Sequence, residues 1–277
     1  MLAQGLPIPA NAEADLRVRA AVRACGAVPA ITAVVRGVPT IGLDDADLAR
    51  FLARDGVRKV SARDLPVAMA NGLDGATTVA ASLALCTAAG LPVFATGGIG
   101  GVHREPAFDE SADLVELARS PVVVVCAGAK SILDLPATLE RLDTLGVTVI
   151  GYGTDEFPGF FTRTTGLPVP TRADSPADVA AIALASRTLG RRSAILVTLP
   201  PPAAFALDVR EVDEAVQGAL AAARVAGVRG AAVTPFLLAA VQEATAGRSL
   251  LANLALLEAN AALAAEIAVA IGAAERL

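Results

Sequence analysis

Val122-Val123-Val124-Val125-Cys126-Ala127-Gly128-Ala129-Lys130 is the stretch that decides the fold. Four β-branched residues and a cysteine follow one another without polar alternation, so the strand they predict must be covered on both faces. Glycine between two alanines ends it, and the first charge beyond is a lysine. Runs of the same kind recur at residues 30–35, 92–95, 148–151 and 194–199. All five read as buried parallel strands. Helix-period segments alternate with them, at residues 12–25, 44–54, 78–89, 133–145, 176–189, 209–225, 235–246 and 250–271. The alternation predicts an α/β fold, a mostly parallel central sheet with helices on both faces, in a single domain over residues 1–277. Ligands of such sheets gather at the carboxyl edge of the strands. Residues 168–176, polar and rich in proline, are the candidate for a mobile loop.

Composition narrows the function. The chain has 277 residues, 54% of them hydrophobic and 3% aromatic, and the apolar share is carried by Ala, Val and Leu. That suits helices packed closely on a sheet. Residues 250–271 are long enough to span a bilayer, but Asn253, Glu258, Asn260 and Glu266 interrupt them, so an amphipathic helix is expected instead. No basic segment followed by an apolar one opens the chain, and the expected location is the cytosol. A net charge of −5 argues against general nucleic-acid binding. Cys25, Cys86 and Cys126 are odd in number and set in apolar surroundings, which predicts buried thiols and neither disulfides nor a zinc site.

The most informative feature is a scarcity. The chain contains two lysines, Lys59 and Lys130, against twenty-one arginines. Arginine stays charged in a protein, whereas a desolvated lysine can lose its proton and attack a carbonyl. Lys130 stands at the carboxyl end of a buried strand near a helix start, where apolar walls and backbone amides would lower its pKa. The alternative is that both lysines are surface residues left by chance.

Glycine clusters mark the other strand ends. In Thr96-Gly97-Gly98-Ile99-Gly100-Gly101-Val102-His103-Arg104, successive glycines could bring backbone N–H groups to an anion, with His103 and Arg104 as further donors. A tight turn with a solvent-facing His-Arg pair fits the same spacing. The segment lacks both the dinucleotide fingerprint and the P-loop lysine. Asp109-Glu110-Ser111-Ala112-Asp113 offers carboxylates suited to a hard divalent ion, or equally a helix cap with Ser111 or Asp109 at the N-cap. Thr77-Thr78 reads as a substrate-facing turn or as the opening of a helix.

Taken together, Gly5-Leu6-Pro7-Ile8-Pro9, Lys59-Val60-Ser61-Ala62-Arg63-Asp64-Leu65-Pro66, Gly75-Ala76-Thr77-Thr78-Val79, the segment 96–104, Phe108-Asp109-Glu110-Ser111-Ala112-Asp113, Cys126-Ala127-Gly128-Ala129-Lys130 and Gly151-Tyr152-Gly153-Thr154-Asp155 resemble the pseudouridine-5′-phosphate glycosidase family, which includes proteins encoded with indigoidine pigment genes. The likeness runs through nearly the whole chain. It implies reversible conversion of pseudouridine 5′-phosphate and water to uracil and ribose 5-phosphate, with Lys130 as the imine-forming nucleophile. It also implies Asp109 as ligand of one Mn2+ ion completed by water, and Lys59, Thr78, Val79, Thr96, His103, Ser111, Asp113 and Asn253 as nucleotide contacts. A homotrimer is implied as well. Alternatives from other classes are a sugar-phosphate binder without turnover and another imine enzyme such as a class I aldolase.

Three departures qualify the resemblance. Ala231 stands where relatives commonly carry lysine, and Ala259 where asparagine is usual. Relatives also precede the Gly5–Pro9 segment with a strand containing Ala-Leu-Glu-Ser-Thr, whose glutamate is implied as general acid or base, whereas Met1 stands four residues before Gly5. The expectation is a start placed too late or an impaired paralogue.

Overall fold

The structure, a computed structural model, describes residues 2–105, 108–228 and 233–276. In chain order the elements begin with α1 (Ala10–Ala24), β1 (Thr32–Val35), β2 (Val38–Ile41), α2 (Asp45–Ala53), β3 (Arg58–Val60), α3 (Leu65–Ala70), β4 (Gly75–Thr77) and α4 (Val79–Ala88). There follow β5 (Val93–Ala95), β6 (Val102–His103), α5 (Ala112–Leu117), β7 (Val123–Cys126), β8 (Leu133–Asp134), α6 (Leu135–Thr144) and β9 (Thr148–Tyr152). The chain continues with β10 (Thr171–Ala173), α7 (Pro176–Thr188), β11 (Ile195–Thr198), α8 (Val209–Val225), α9 (Val233–Ala244) and α10 (Arg248–Ala274).

The all-valine strand forms as β7 and lies inside a five-stranded sheet of order β10-β9-β11-β7-β5, every pairing parallel. Its side chains alternate between two cores, as the period of a strand requires. Val122, Val124 and Cys126 pack with Leu83 of α4, Leu114 and Leu117 of α5, and Leu142 of α6. Val123 and Val125 pack with Val179 of α7 and with Leu263 and Ile267 of α10. Helices therefore cover both faces, which is why no polar residue was tolerated in the run. α10 is the one helix among those described that is long and apolar enough to cross a membrane, yet most of its apolar window is buried against the sheet.

The run 30–35 does not join this sheet. It forms β1 of a second sheet, order β2-β1-β4-β3, and pairs antiparallel with both neighbours. Its apolar look is real, because Val34 faces one small core and Ala33 and Val35 another. The parallel reading failed on the hairpin: Arg36 and Gly37 take φ of 48° and 81°, making a two-residue turn with Val35 opposite Val38. Gly37 is obligatory there, since a Cβ would lie 2.7 Å from the Met69 carbonyl oxygen.

The Pro-rich stretch 168–176 also differs from the expectation of a mobile loop. Pro168 bridges to Glu156, and Thr171–Ala173 is β10, the outer parallel strand beside β9. Its polar residues suit an edge, where one side meets solvent. The helix expected from residue 133 starts at Leu135, since Leu133 and Asp134 pair with β6 as β8. Cys86 and Cys126 are buried thiols, whereas Cys25 is partly exposed.

Candidate active site

The carboxyl edge of β5 and β7 positions the site. Their pairing, Val93 with Val123 and Ala95 with Val125, continues at the same offset past the last strand residues to Ile99 and Ala129. Four backbone bonds carry it: Thr96 N to Val125 O at 3.0 Å, Ala127 N to Gly97 O at 2.9 Å, Ile99 N to Gly128 O and Lys130 N to Ile99 O, both at 3.1 Å. Lys130 is thus the last rung of an extended ladder. Gly128 permits it at φ 85°, and a Cβ there would stand 2.3 Å from the Pro158 carbonyl oxygen. Beyond the rung, Arg104 donates from Nε to Leu133 O at 3.2 Å and from Nη2 to Ser131 O at 3.3 Å, holding the chain as it leaves the lysine.

Burial lowers the pKa of Lys130, and the neighbouring positive charge of Lys59 lowers it further, while the carboxylate of Asp113 opposes both. Lys59 and Asp113 are therefore each within electrostatic reach of Lys130. Lys59 reaches the site from β3 of the smaller sheet and is exposed. Asp113 is buried in the first turn of α5, where it accepts from Ala80 N at 2.9 Å and from Gly100 N at 2.8 Å. One carboxylate so ties α5 to the start of α4 and to the glycine segment. Thr78 is the N-cap of α4, accepting from Ala81 N, and Val79 is its first residue. Ser111 is the N-cap of α5, accepting from Asp113 N at 3.2 Å, which decides the capping question left open by spacing.

The glycine segment is partly committed, while the N–H groups of Gly97, Gly98 and Gly101 donate to nothing among the described residues. Gly100 N binds Asp113, Ile99 N binds Gly128 O, Val102 N binds Thr138 Oγ1 and His103 N binds the Asp109 carbonyl. Its glycines allow close approach: added Cβ atoms would lie 2.6 Å from the Phe160 ring at Gly98, 2.2 Å from Ser111 Oγ at Gly100 and 2.4 Å from Thr138 Oγ1 at Gly101. Arg104 is likewise committed to backbone, as above. His103 is half-buried on β6, opposite Leu133 of β8, and the Asp109 carbonyl brings residue 109 beside it.

Of the carboxylates in 109–113, Glu110 is paired with Arg141 at 3.0 Å and Asp113 is spent on two amides. The Asp109 side chain, half-buried, has no hydrogen bond or ion pair among the described residues. It is the carboxylate of this cluster with oxygens left for a cation. The described residues contain no group of three or more His, Cys, Asp or Glu side chains that could hold a metal.

Thr96 and Asn253 complete the set. Thr96 is buried, and its carbonyl accepts from Asn260 Nδ2 at 2.9 Å. Asn253 is 6% exposed with Oδ1 unpartnered among the described residues. It lies seven residues before Asn260 on α10, about 10 Å along the axis. Since α10 residues 263–271 pack in the core of the sheet and Asn260 reaches the end of β5, Asn253 lies on the stretch of the helix before the strand ends are met. Ala259 is half-buried on the same helix, and Ala231 lies outside the described residues. Sequence reading missed the amides of Ala80 and Gly100 as carboxylate donors and missed Asn260, because neither pattern has a local signature. A cleft of about 480 Å3 bordered by Arg104, Ser131, Leu133, Asp134, Thr164 and Val212 is lined, of the candidate residues, by Arg104 alone.

A parallel sheet with a half-buried, desolvated lysine at its carboxyl edge, opposed by one carboxylate, defines an α/β enzyme. The chain belongs to the indigoidine synthase A-like family, whose model matches residues 1–270. It is 66% identical over 271 residues to a pseudouridine-5′-phosphate glycosidase of Gemmatimonas aurantiaca, covering 98% of this chain and 89% of that one. Identity to the glycosidase of the same name from Herpetosiphon aurantiacus is 51%, with 98% and 90% covered. Among solved structures, a prealnumycin C-glycosynthase in complex with ribulose 5-phosphate superposes with a TM-score of 0.90 at 39% identity, covering 96% of this chain and 88% of that one. An indigoidine synthase A-like protein from Thermotoga maritima gives a TM-score of 0.90 at 37% identity, with 97% and 89% covered.

Proposed function

We propose that this protein is a pseudouridine-5′-phosphate glycosidase acting through a lysine imine. The observation that carries the reading is Lys130, a half-buried lysine at the carboxyl edge of the sheet whose pKa desolvation lowers. Relatives with that name and a related C-glycosynthase bound to a pentose phosphate support the substrate class. The bond to be cleaved joins carbon to carbon, so protonating a glycosidic oxygen, the usual glycosidase device, does not serve. With Lys130 Nζ bonded to C1′ of the opened ribose, the nitrogen lone pair forms the C=N bond as the C1′–C5 bond breaks. Uracil leaves with that bonding pair and takes up a proton at C5. Water then hydrolyses the imine, freeing the amine and ribose 5-phosphate. In the reverse direction the iminium carbon accepts the uracil electron pair.

Burial keeps Lys130 competent as a nucleophile, and Asp113 limits how far its proton affinity falls. Lys59 and His103 oppose the phosphate, while Thr78, Val79, Thr96, Ser111 and Asn253 hold the sugar and base. Asp109 fits as the protein ligand of one Mn2+, which would supply charge neutralisation to substrate oxygens. A homotrimer in the cytosol completes the reading, and light scattering tests its mass. Uracil release from pseudouridine 5′-phosphate, with Mn2+ and with chelator, is the experiment. Release that falls in chelator and in Asp109→Ala is expected. No release, alongside imine formation with other sugar phosphates, would point to a different lyase.

A further inference from the structure

We infer that Asn260 is a positioning residue for Lys130, acting from α10 through the ladder that ends at the lysine. Asn260 is 1% exposed and sits on the helix farthest along the chain from that ladder. Its Nδ2 donates to Thr96 O at 2.9 Å and to Gly97 O at 3.3 Å, the two carbonyls at which β5 stops being a strand. Gly97 O accepts from Ala127 N as well, so the carbonyl held by Asn260 on the β5 rail is itself a rung to the β7 rail. From there the rungs run without a gap through Ile99 and Gly128 to Lys130. The β5 rail in this stretch contains Gly97, Gly98 and Gly100, and glycine restricts its own backbone least of all residues. An external clamp is what fixes such a segment. Hydrophobic burial alone would have been served by leucine at position 260, since the neighbouring buried positions on α10 are apolar. A polar side chain whose Oδ1 stays without a partner among the described residues is retained for what its Nδ2 holds.

The inference rests on Lys130 being the reacting amine, and the test keeps the two apart. Asn260→Leu removes both donors at similar volume. Ile267→Ala, on the same helix but packed only in the other core, serves as a destabilised control. Borohydride trapping with ribose 5-phosphate and kcat and KM for uracil release are measured per folded molecule. We expect Asn260→Leu to lose roughly 10²-fold in kcat and in trapping rate with KM little changed, the scale of a small misplacement of a reacting group. Ile267→Ala should keep wild-type values. Equal kcat for Asn260→Leu, Ile267→Ala and wild type would overturn the inference. Absence of any adduct in the wild type would instead overturn the imine reading, while kcat still decides the role of Asn260. Should Asn260→Leu fail to fold, Asn260→Ser makes the same comparison, and a chain that unfolds with either substitution would assign Asn260 to the fold alone.

Discussion

Replacing Asp113 by Asn tests the electrostatic centre of the site, because that one carboxylate does two separable things. It accepts from Ala80 N and Gly100 N at 2.9 and 2.8 Å, and its charge raises the pKa of Lys130 against burial and Lys59. An asparagine in the same place keeps one acceptor oxygen but turns an NH2 group toward the second backbone N–H. The loss of a charge-assisted bond and the stranding of a buried donor together cost about 3–5 kcal/mol. For a chain of this size that corresponds to roughly 5–15 °C in Tm. Reactivity at Lys130 requires the neutral amine, so turnover rises as pH climbs through its folded pKa. Without the Asp113 charge only lowering influences remain, and the amine becomes neutral at lower pH. Thermal unfolding and the pH profile of adduct trapping read the two effects independently. The acid limb should move down while Tm falls. An unchanged Tm, or an acid limb that stays put or moves up, would refute this account of Asp113.

The desolvated amine itself should carry a stability cost that is visible without substrate. Because the folded pKa of Lys130 is depressed, the unfolded chain holds its proton to higher pH, and stability rises as pH climbs from the folded value toward the ordinary lysine value of about 10.4. Lys130→Met should therefore raise Tm at neutral pH, with the advantage fading toward alkaline pH; a lower Tm at neutral pH would contradict it. Two glycines separate crowding from backbone strain. Gly26→Ala meets nothing within 4 Å at φ 81° and should cost about 1–2 kcal/mol, whereas Gly128→Ala adds a 2.3 Å clash with Pro158 O and should cost more and lower kcat as well. Equal losses of stability from the two, measured by denaturant unfolding, would show that the strand-end approach is not tight.

Much of the fold was legible because its decisive residues act locally. Val122–Cys126 must be covered on both faces whatever surrounds it, and the amphipathic run at α8 carries its own period. The smaller sheet was not legible as such, since Ala33, Val34 and Val35 are as buried as a parallel strand and only the Arg36-Gly37 turn gives the direction away. β3, β4 and β10 are three residues each, too short for periodicity to register. The position of Lys130 at the carboxyl end of a buried strand was legible in the apolar run that precedes it. That the amides of Gly100, Val102 and His103 are taken was not legible, because their partners, Asp113, Thr138 and the Asp109 carbonyl, come from other elements. Asn260 escaped for the same reason, being more than 160 residues from the carbonyls it holds.

The most direct test of the central claim is covalent. Wild-type protein incubated with ribose 5-phosphate and reduced with borohydride should carry one stable adduct, mapped by peptide mass spectrometry to Lys130. Lys130→Arg, which keeps the charge but cannot form an imine, should carry none and release no uracil. An adduct on Lys59 with Lys130 unmodified, or full turnover by Lys130→Arg, would contradict the account.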